Sequence, residues 1–404
     1  MNGVIRCAIT PYQTDKNMKP HPATKIIHPE YSAPEGFSAF PTAIHHASTV
    51  LFENVATMRS STWFDKSNYN YGLQGTPTSR TLEALLAAIE EGQHCMLAPS
   101  GLAAVALVSL AFLKTGDDVL IPDNAYGPNR ELGKWLSRDF GISVRFYAPM
   151  IGADISTLIQ ENTRLIWTEA PGSISMEVSD IPAICKAAHT RGVVVAMDNT
   201  WSAGIAFKPF SHGVDISIQA LTKYQSGGSD VLMGAVITRD KKLHEQIEFV
   251  RMRIGMGVGM DDVYLILRSL DSLPLRFNAH DIHARTIATW LKSRPEIGKV
   301  LHPALADCPG HEIWQRDFTG AGGLFSVIFD ARYTEQQTDR FVDSLSLFKI
   351  GYSWGGSHSL CIPYRMKDMR ENWSEQGQLV RFNIGLEDVA DLIADIEQAF
   401  AKMK

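Results

Sequence analysis

Cysteine is scarce and unpatterned in this sequence. The five present, Cys7, Cys95, Cys185, Cys308 and Cys361, are odd in number and scattered, with no C-x-x-C pair. Neither a disulfide framework nor a thiolate zinc site is expected. Long apolar runs are missing as well. The longest, GLAAVALVSLAFL at 101–113, falls well short of the roughly 20 residues that span a bilayer. The first residues, MNGVIRCAITPYQTDKNMKP, lack the continuous apolar stretch of a secretory signal. Basic residues are in deficit, 38 Lys and Arg against 44 Asp and Glu, and a net charge of −6 argues against nucleic acid as a partner. The glycine-rich GMGVGM at 255–260 does not form G-x-G-x-x-G and reads as a loop, which removes a dinucleotide site. His45 and His46 are adjacent and would face opposite sides of a strand, so no shared metal is expected there. No Ser-His-Asp arrangement stands out. The expectation is a soluble protein of a reducing cytoplasm, and 404 residues are enough for two or three domains.

What is present has a clear rhythm. Residues 1–75 are rich in Pro, Asn, Ser and Thr and read as an extended arm that packs on something else, such as a neighbouring subunit. A helix is predicted from GTPTSRTLEALLAAIEEG. Thr76 is placed to cap it, Pro77 suits its first turn, Leu82, Leu85, Leu86 and Ile89 form its apolar stripe, and Gly92 ends it. Seven short apolar runs follow, separated by helical stretches: HCMLAPS, DDVLIPD, VRFYAP, TRLIWTEAP, GVVVAMDNT, DISIQAL and GAVIT. Such βαβ alternation, with strands too apolar to be half-exposed, predicts an α/β fold with a mostly parallel sheet covered on both faces. A long helix is predicted over 272–294. After it GGLFSVIFD, FKIGYS and LVRFNIG read as strands and LEDVADLIADIEQAFAKM as the closing helix. The domains expected are an α/β domain at 76–270 and a smaller α+β domain at 271–404.

Ligands of open α/β sheets sit beyond the carboxyl ends of the strands. Asp198 ends one predicted strand there, and Thr222 and Lys223 end another. Upstream, a strand, a Ser-Gly turn and a helix would leave the Gly101 and Leu102 amides at a helix N-terminus, a geometry that binds phosphate. Tyr126 follows a further strand and could stack on a flat ring. Each feature has a plainer reading: a solvated lysine, an Asx turn, an ordinary helix start, a packing tyrosine. Together they fit pyridoxal 5′-phosphate (PLP), whose aldehyde bonds to a lysine amine and whose ring nitrogen stays protonated beside a carboxylate.

These residues lie in longer stretches that carry a resemblance. YNYGLQGTPT, APSGLAA, DNAYGP, TEAPGSISMEVSDIPAI, MDNTWSAGIAFKPFSHGVDISIQALTKYQSGGSD, GYSWGGSHSL and LVRFNIGLEDVADLIADIEQAF occur in order from about residue 40 onward. They resemble the Cys/Met-metabolism PLP-dependent enzymes, down to the 25-residue spacing of Asp198 and Lys223. The resemblance implies an aspartate-aminotransferase-like fold (fold type I) in a homotetramer built from dimers that complete each other's sites. It makes Lys223 the lysine that carries the cofactor, Asp198 the partner of the ring nitrogen and Tyr126 the stacking tyrosine. It gives the Gly101 and Leu102 amides and the Thr222 hydroxyl to the phosphate, Arg381 to the substrate carboxylate, and Tyr71 to a site across the dimer interface. Where relatives acting at the γ carbon show ESLGG, this chain has Tyr352-Ser353-Trp354-Gly355-Gly356, which is typical of the β-lyase branch.

The activity so implied is a carbon–sulfur lyase reaction of methionine biosynthesis. Cystathionine and related cysteine S-conjugates would give homocysteine or another thiol, pyruvate and ammonia, with Lys223 moving the proton and Tyr126 and Tyr71 tuning it. Leu73 stands where the family's Y-x-R arginine reaches the neighbouring phosphate, which predicts looser cofactor retention, and Gln74 replaces a second arginine. Ala220 and Ser173 replace a serine and an asparagine common in γ-acting relatives. A γ-synthase, a γ-lyase, an amino-acid racemase and a catalytically degraded regulatory relative remain alternatives.

Overall fold

The computed structural model describes residues 22–28, 36–37, 39–63, 68–370 and 373–403. Most of the expected arm before residue 36 lies outside them. Where the arm is described it is not uniformly extended, since short helices form at Pro22–Ile27 and Val55–Ser60. Thr49 and Tyr71 pair as an isolated antiparallel bridge.

All seven apolar runs become strands of one sheet: β1 (His94–Ala98), β2 (Asp118–Pro122), β3 (Ser143–Tyr147), β4 (Thr163–Glu169), β5 (Val194–Asp198), β6 (Ile216–Ala220) and β7 (Gly234–Thr238). Their order is β1-β7-β6-β5-β4-β2-β3. The pairs from β6 through β3 are parallel, whereas β7 runs antiparallel to both β6 and β1. Alternate residues of a strand face opposite sides, so each strand feeds two cores. Met96, Ile121, Ala196 and Ile218 enter one, and Leu97, Leu120, Met197 and Ile237 the other. Burial of a Leu or Ile side chain is worth about 2 kcal/mol, so each strand is held from both faces.

The helix Pro77–Glu90 starts as predicted at Thr76, whose amide donates to Ser79 Oγ at 2.9 Å. Its end differs by one residue: Glu91 takes the left-handed conformation (φ 61°), and the Gly92 amide closes on the Ala87 carbonyl at 2.8 Å. The long helix spans Leu273–Lys292.

A second, antiparallel sheet follows, made of β8 (Ile297–Leu301), β9 (Leu324–Phe329), β10 (Leu360–Tyr364) and β11 (Leu379–Asn383), in the order β10-β11-β9-β8. FKIGYS is not one of its strands. Only Lys349 bridges, to Leu360, and 351–354 form an irregular loop. The helix Val389–Ala401 closes this part against a separate core that includes Phe325, Phe341 and Phe382. Among the described residues no helix is long and apolar enough to cross a membrane.

Candidate active site

The carboxyl ends of β1, β4, β5 and β6 open on one cleft of about 270 Å³. It gathers Gly101, Leu102, Tyr126, Asp198, Thr222 and Lys223 from separate parts of the sequence, with Trp354 closing one side.

Lys223 sits in the turn directly after β6, where its amide donates to the Ala220 carbonyl at 3.1 Å. Its Nζ donates to Ser353 Oγ at 3.0 Å and stands 5.2 Å from the centre of the Trp354 ring. Burial, helped by the nearby Arg381 charge and opposed by Asp198, brings its pKa down to about 8. About a tenth is therefore an uncharged nucleophilic amine at pH 7.

Asp198 is the last residue of β5, and its Oδ1 accepts the Thr200 amide at 3.0 Å. Burial pushes its pKa above the ordinary value. In the neighbouring strand, in register with it, lies Glu169, a site residue the sequence reading passed over. Glu169 Oε2 accepts the Tyr126 amide at 2.7 Å and Oε1 accepts the Ser173 hydroxyl at 2.6 Å. Burial and then the adjacent Asp198 charge push Glu169 up to about 8. Two carboxyls side by side do not both ionise readily in a dry site.

Tyr126 caps the helix Gly127–Phe140 from the neighbouring loop and is half-exposed into the cleft. That loop is pinned by Arg370, which pairs with Asp123 at 2.8 Å and with Glu177 at 2.5 Å. Opposite, Ser100 starts the helix Gly101–Phe112 by accepting the Ala103 amide at 3.0 Å. Glycine is required at its first position: a Cβ on Gly101 would lie 2.7 Å from Ala220 Cβ and push the helix start off β6. Thr222 Oγ1 accepts the Met233 amide at 3.2 Å, which sets its hydroxyl at the cleft wall.

Arg381 comes from the other sheet, from the middle of β11, and is only 5% exposed. Its fork donates to the Ser173 carbonyl at 3.2 Å and the Tyr352 carbonyl at 3.1 Å, and its guanidinium lies 5.1 Å from the Tyr364 ring centre. The Tyr352 ring itself is 81% exposed and lines no part of the cleft.

Tyr71 is not brought into this cleft within the chain. It lines a separate cavity of about 300 Å³ with Leu73, Gln74 and Arg251. Leu73 packs there against the Gly257 loop, and Gln74 is turned inward, donating to the Trp63 carbonyl at 2.6 Å. His46 pairs with Asp261 at 3.4 Å, while the His45 amide donates to Thr78.

The donor set of the cleft fits pyridoxal phosphate: an amine of lowered basicity for an aldehyde, buried acid for a ring nitrogen, an aromatic wall, and a helix N-terminus with a threonine for a phosphate.

Comparison with known proteins bears on the same assignment. The sequence profile of the Cys/Met metabolism PLP-dependent enzymes matches residues 23–401. The cystathionine beta-lyase of Haemophilus influenzae is 39% identical over 89% of this chain and 93% of its own. The L-alanine/L-glutamate racemase of a Wolbachia pipientis strain is 37% identical over 89% of this chain and 92% of its own. The crystal structure of metB from Corynebacterium glutamicum superposes with a TM-score of 0.88 at 30% identity, covering 97% of this chain and all of that one.

Proposed function

This chain belongs to the Cys/Met metabolism PLP-dependent enzyme family, and from that premise we propose that it cleaves the Cβ–S bond of cystathionine and related cysteine S-conjugates. With water, cystathionine would yield homocysteine, pyruvate and ammonia. The observation that carries the reading is the meeting of Lys223 with Ser353 and Trp354 in a cleft that also holds Asp198. Relatives named as cystathionine beta-lyases at 36–39% identity support the carbon–sulfur lyase class.

Bound PLP supplies an electron-accepting ring joined to the substrate nitrogen, which makes the α-proton acidic. The protein's residues do the rest. Arg381 offers two parallel N–H donors to the substrate carboxylate and so turns the α C–H bond toward Lys223. Lys223, whose lowered basicity leaves far more neutral amine at pH 7 than an ordinary lysine has, takes that proton at Nζ and passes it to the departing sulfur. Asp198 holds the proton of the ring nitrogen, and Glu169 beside it fixes the Tyr126 loop. Gly101, Leu102 and Thr222 hold the phosphate. Ser353 and Trp354 border the substrate, with the Ser353 hydroxyl keeping Lys223 aimed, and Tyr352, outside the cleft, is left to meet the part of the substrate that reaches beyond it.

Tyr71, remote from its own chain's cleft, is assigned to the cleft of a second copy, in a dimer that pairs into a homotetramer. The exposed apolar side chains of the 37–63 segment, Phe40 and Leu51 foremost, suit burial in such a contact. A second reading, amino-acid racemisation, is supported by the Wolbachia relative.

One assay tests both. PLP-loaded protein given cystathionine should release pyruvate and a free thiol in equal amounts. Formation of 2-oxobutyrate from cystathionine, or loss of optical rotation from L-alanine by a protein that releases no pyruvate from cystathionine, refutes the β-elimination reading.

A further inference from the structure

Beneath the cleft floor lies a buried acid that the proposed reaction does not use. Glu90 is the last residue of the helix Pro77–Glu90 and is 1% exposed. Its Oε1 accepts two side-chain amides, from Asn199 at 2.6 Å and from Gln219 at 2.5 Å. Asn199 directly follows Asp198, and Gln219 sits on β6 four positions before Lys223. The network continues outward from both. The Ser202 hydroxyl donates to Asn199 Oδ1 at 2.5 Å, and Gln225, just past Lys223, donates to Gln219 Oε1 at 2.7 Å. The approach is close: Gly204 takes a left-handed conformation (φ 67°), and a Cβ there would lie 2.8 Å from Glu90 Cγ.

We propose that Glu90 is a positioning residue that fastens the turn after Asp198 to the strand leading to Lys223, and so sets the spacing of the two groups that hold the cofactor. It touches neither cofactor nor substrate. This rests on the reading that PLP occupies the cleft.

Its surroundings favour a neutral carboxyl. Burial pushes its carboxyl above the ordinary range, although the amide donors and the Lys208 charge pull the other way. Its position at the helix C-terminus, where the macrodipole is negative, opposes a second negative charge. Glu90 Oε2 and the buried Ser217 hydroxyl on β6 make no geometric hydrogen bond among the described residues, although Ser217 lies near enough to act on the acid as a donor, which favours its charged form. A proton on Oε2 serves that hydroxyl. Glu90 then acts as a neutral acid with one oxygen accepting twice and the other donating. Glutamine reproduces that pattern; alanine leaves the buried Gln219 amide unpaired and the Asn199 amide with the Phe207 carbonyl alone, at 3.3 Å.

The test measures PLP affinity of the apoprotein, the pH midpoint of the visible band of the lysine-bound cofactor, and the apoprotein melting temperature. Glu90→Ala should weaken PLP binding by about tenfold or more and displace the midpoint, beyond any change in melting. Glu90→Gln should match wild type in both cofactor readouts. Gln219→Leu, which leaves the acid in place, should move them in the same direction by less, and serves if Glu90→Ala does not fold. An unshifted affinity and midpoint in Glu90→Ala or Gln219→Leu, or a Glu90→Gln protein as impaired as the alanine variant, overturns the proposal. Wild-type protein without a band that depends on Lys223 instead overturns the cofactor reading on which it stands.

Discussion

Capture of PLP by the apoprotein should follow the titration of Lys223, because only the uncharged amine attacks an aldehyde. With the pKa brought to about 8, chiefly by burial, the neutral fraction at pH 7 is about 0.09, roughly 300 times that of an ordinary lysine. The shape of the profile separates the two cases better than any single rate. For Lys223 the neutral fraction rises about twofold between pH 8 and pH 10, whereas for an unperturbed lysine it rises about 75-fold. Stopped-flow absorbance of cofactor capture between pH 7 and 10 reads this directly. The neighbouring charges set the direction of two variants. Arg381→Gln removes the cation that helps hold Lys223 down, so its plateau should move to higher pH. Asp198→Asn removes the anion that holds it up, so its plateau should move lower. Ratios of rates within each variant cancel changes in overall affinity. A wild-type rate still climbing steeply beyond pH 9, or plateaus that move the wrong way, refutes the account of Lys223.

Other outcomes can be checked alongside it. Lys223→Ala should lose the visible band and more than about a thousandfold of pyruvate release while melting like wild type, as the acid–base group is removed without disturbing a core. Arg381→Lys keeps the charge and loses the two-pronged fork. It should raise KM for cystathionine about tenfold or more, with a smaller change in kcat, in steady-state assays. Asp118 is fully buried and accepts from Arg145 at 2.8 and 2.6 Å and from Thr163 at 2.7 Å. Burial opposes its ionisation, but these donors outweigh burial and hold its carboxyl below the ordinary value. Its contribution is therefore present above about pH 4 and is lost as pH falls through the lower folded value. Asp118→Asn should cost about 2–4 kcal/mol in denaturant unfolding at pH 7, and much less near pH 2.

The large sheet was legible because its strands are continuous apolar runs buried on both faces. Their direction was not: nothing in GAVIT distinguishes the reversed β7 from its parallel neighbours, since direction is set by the connections. In the second sheet the two strands the sequence reading missed, IGKVL and LCIPY, are its two edges. Edge strands tolerate Gly298, Lys299 and Pro363, the residues that weaken a strand signal. FKIGYS read as a strand through its apolar positions, but it bends to present Ser353 and Trp354 to Lys223. Lys223, Asp198 and Tyr126 were readable from their places at strand ends. Glu169 and Glu90 were not, since a glutamate closing a strand or a helix looks solvated until the fold buries it. Tyr71 and the Tyr352 ring remain outside the single-chain cleft, and their assigned roles depend on a second copy or on substrate.

Lys223 lines the cleft from the first sheet, and Arg381 stands behind its wall from the second, donating to the Ser173 carbonyl, a division that separates reagent from address. On the proposed roles, the first sheet would carry what any reaction on this cofactor needs: the amine, the acids and the phosphate cradle. The second would contribute the carboxylate fork, and the 352–354 loop beside it would decide which molecule stays and how it is turned. Changes confined to the second can redirect the chemistry without rebuilding the first. Relatives named for lysis and for racemisation can then share one scaffold, and a search for altered activity in this protein should begin at the loop rather than at the lysine.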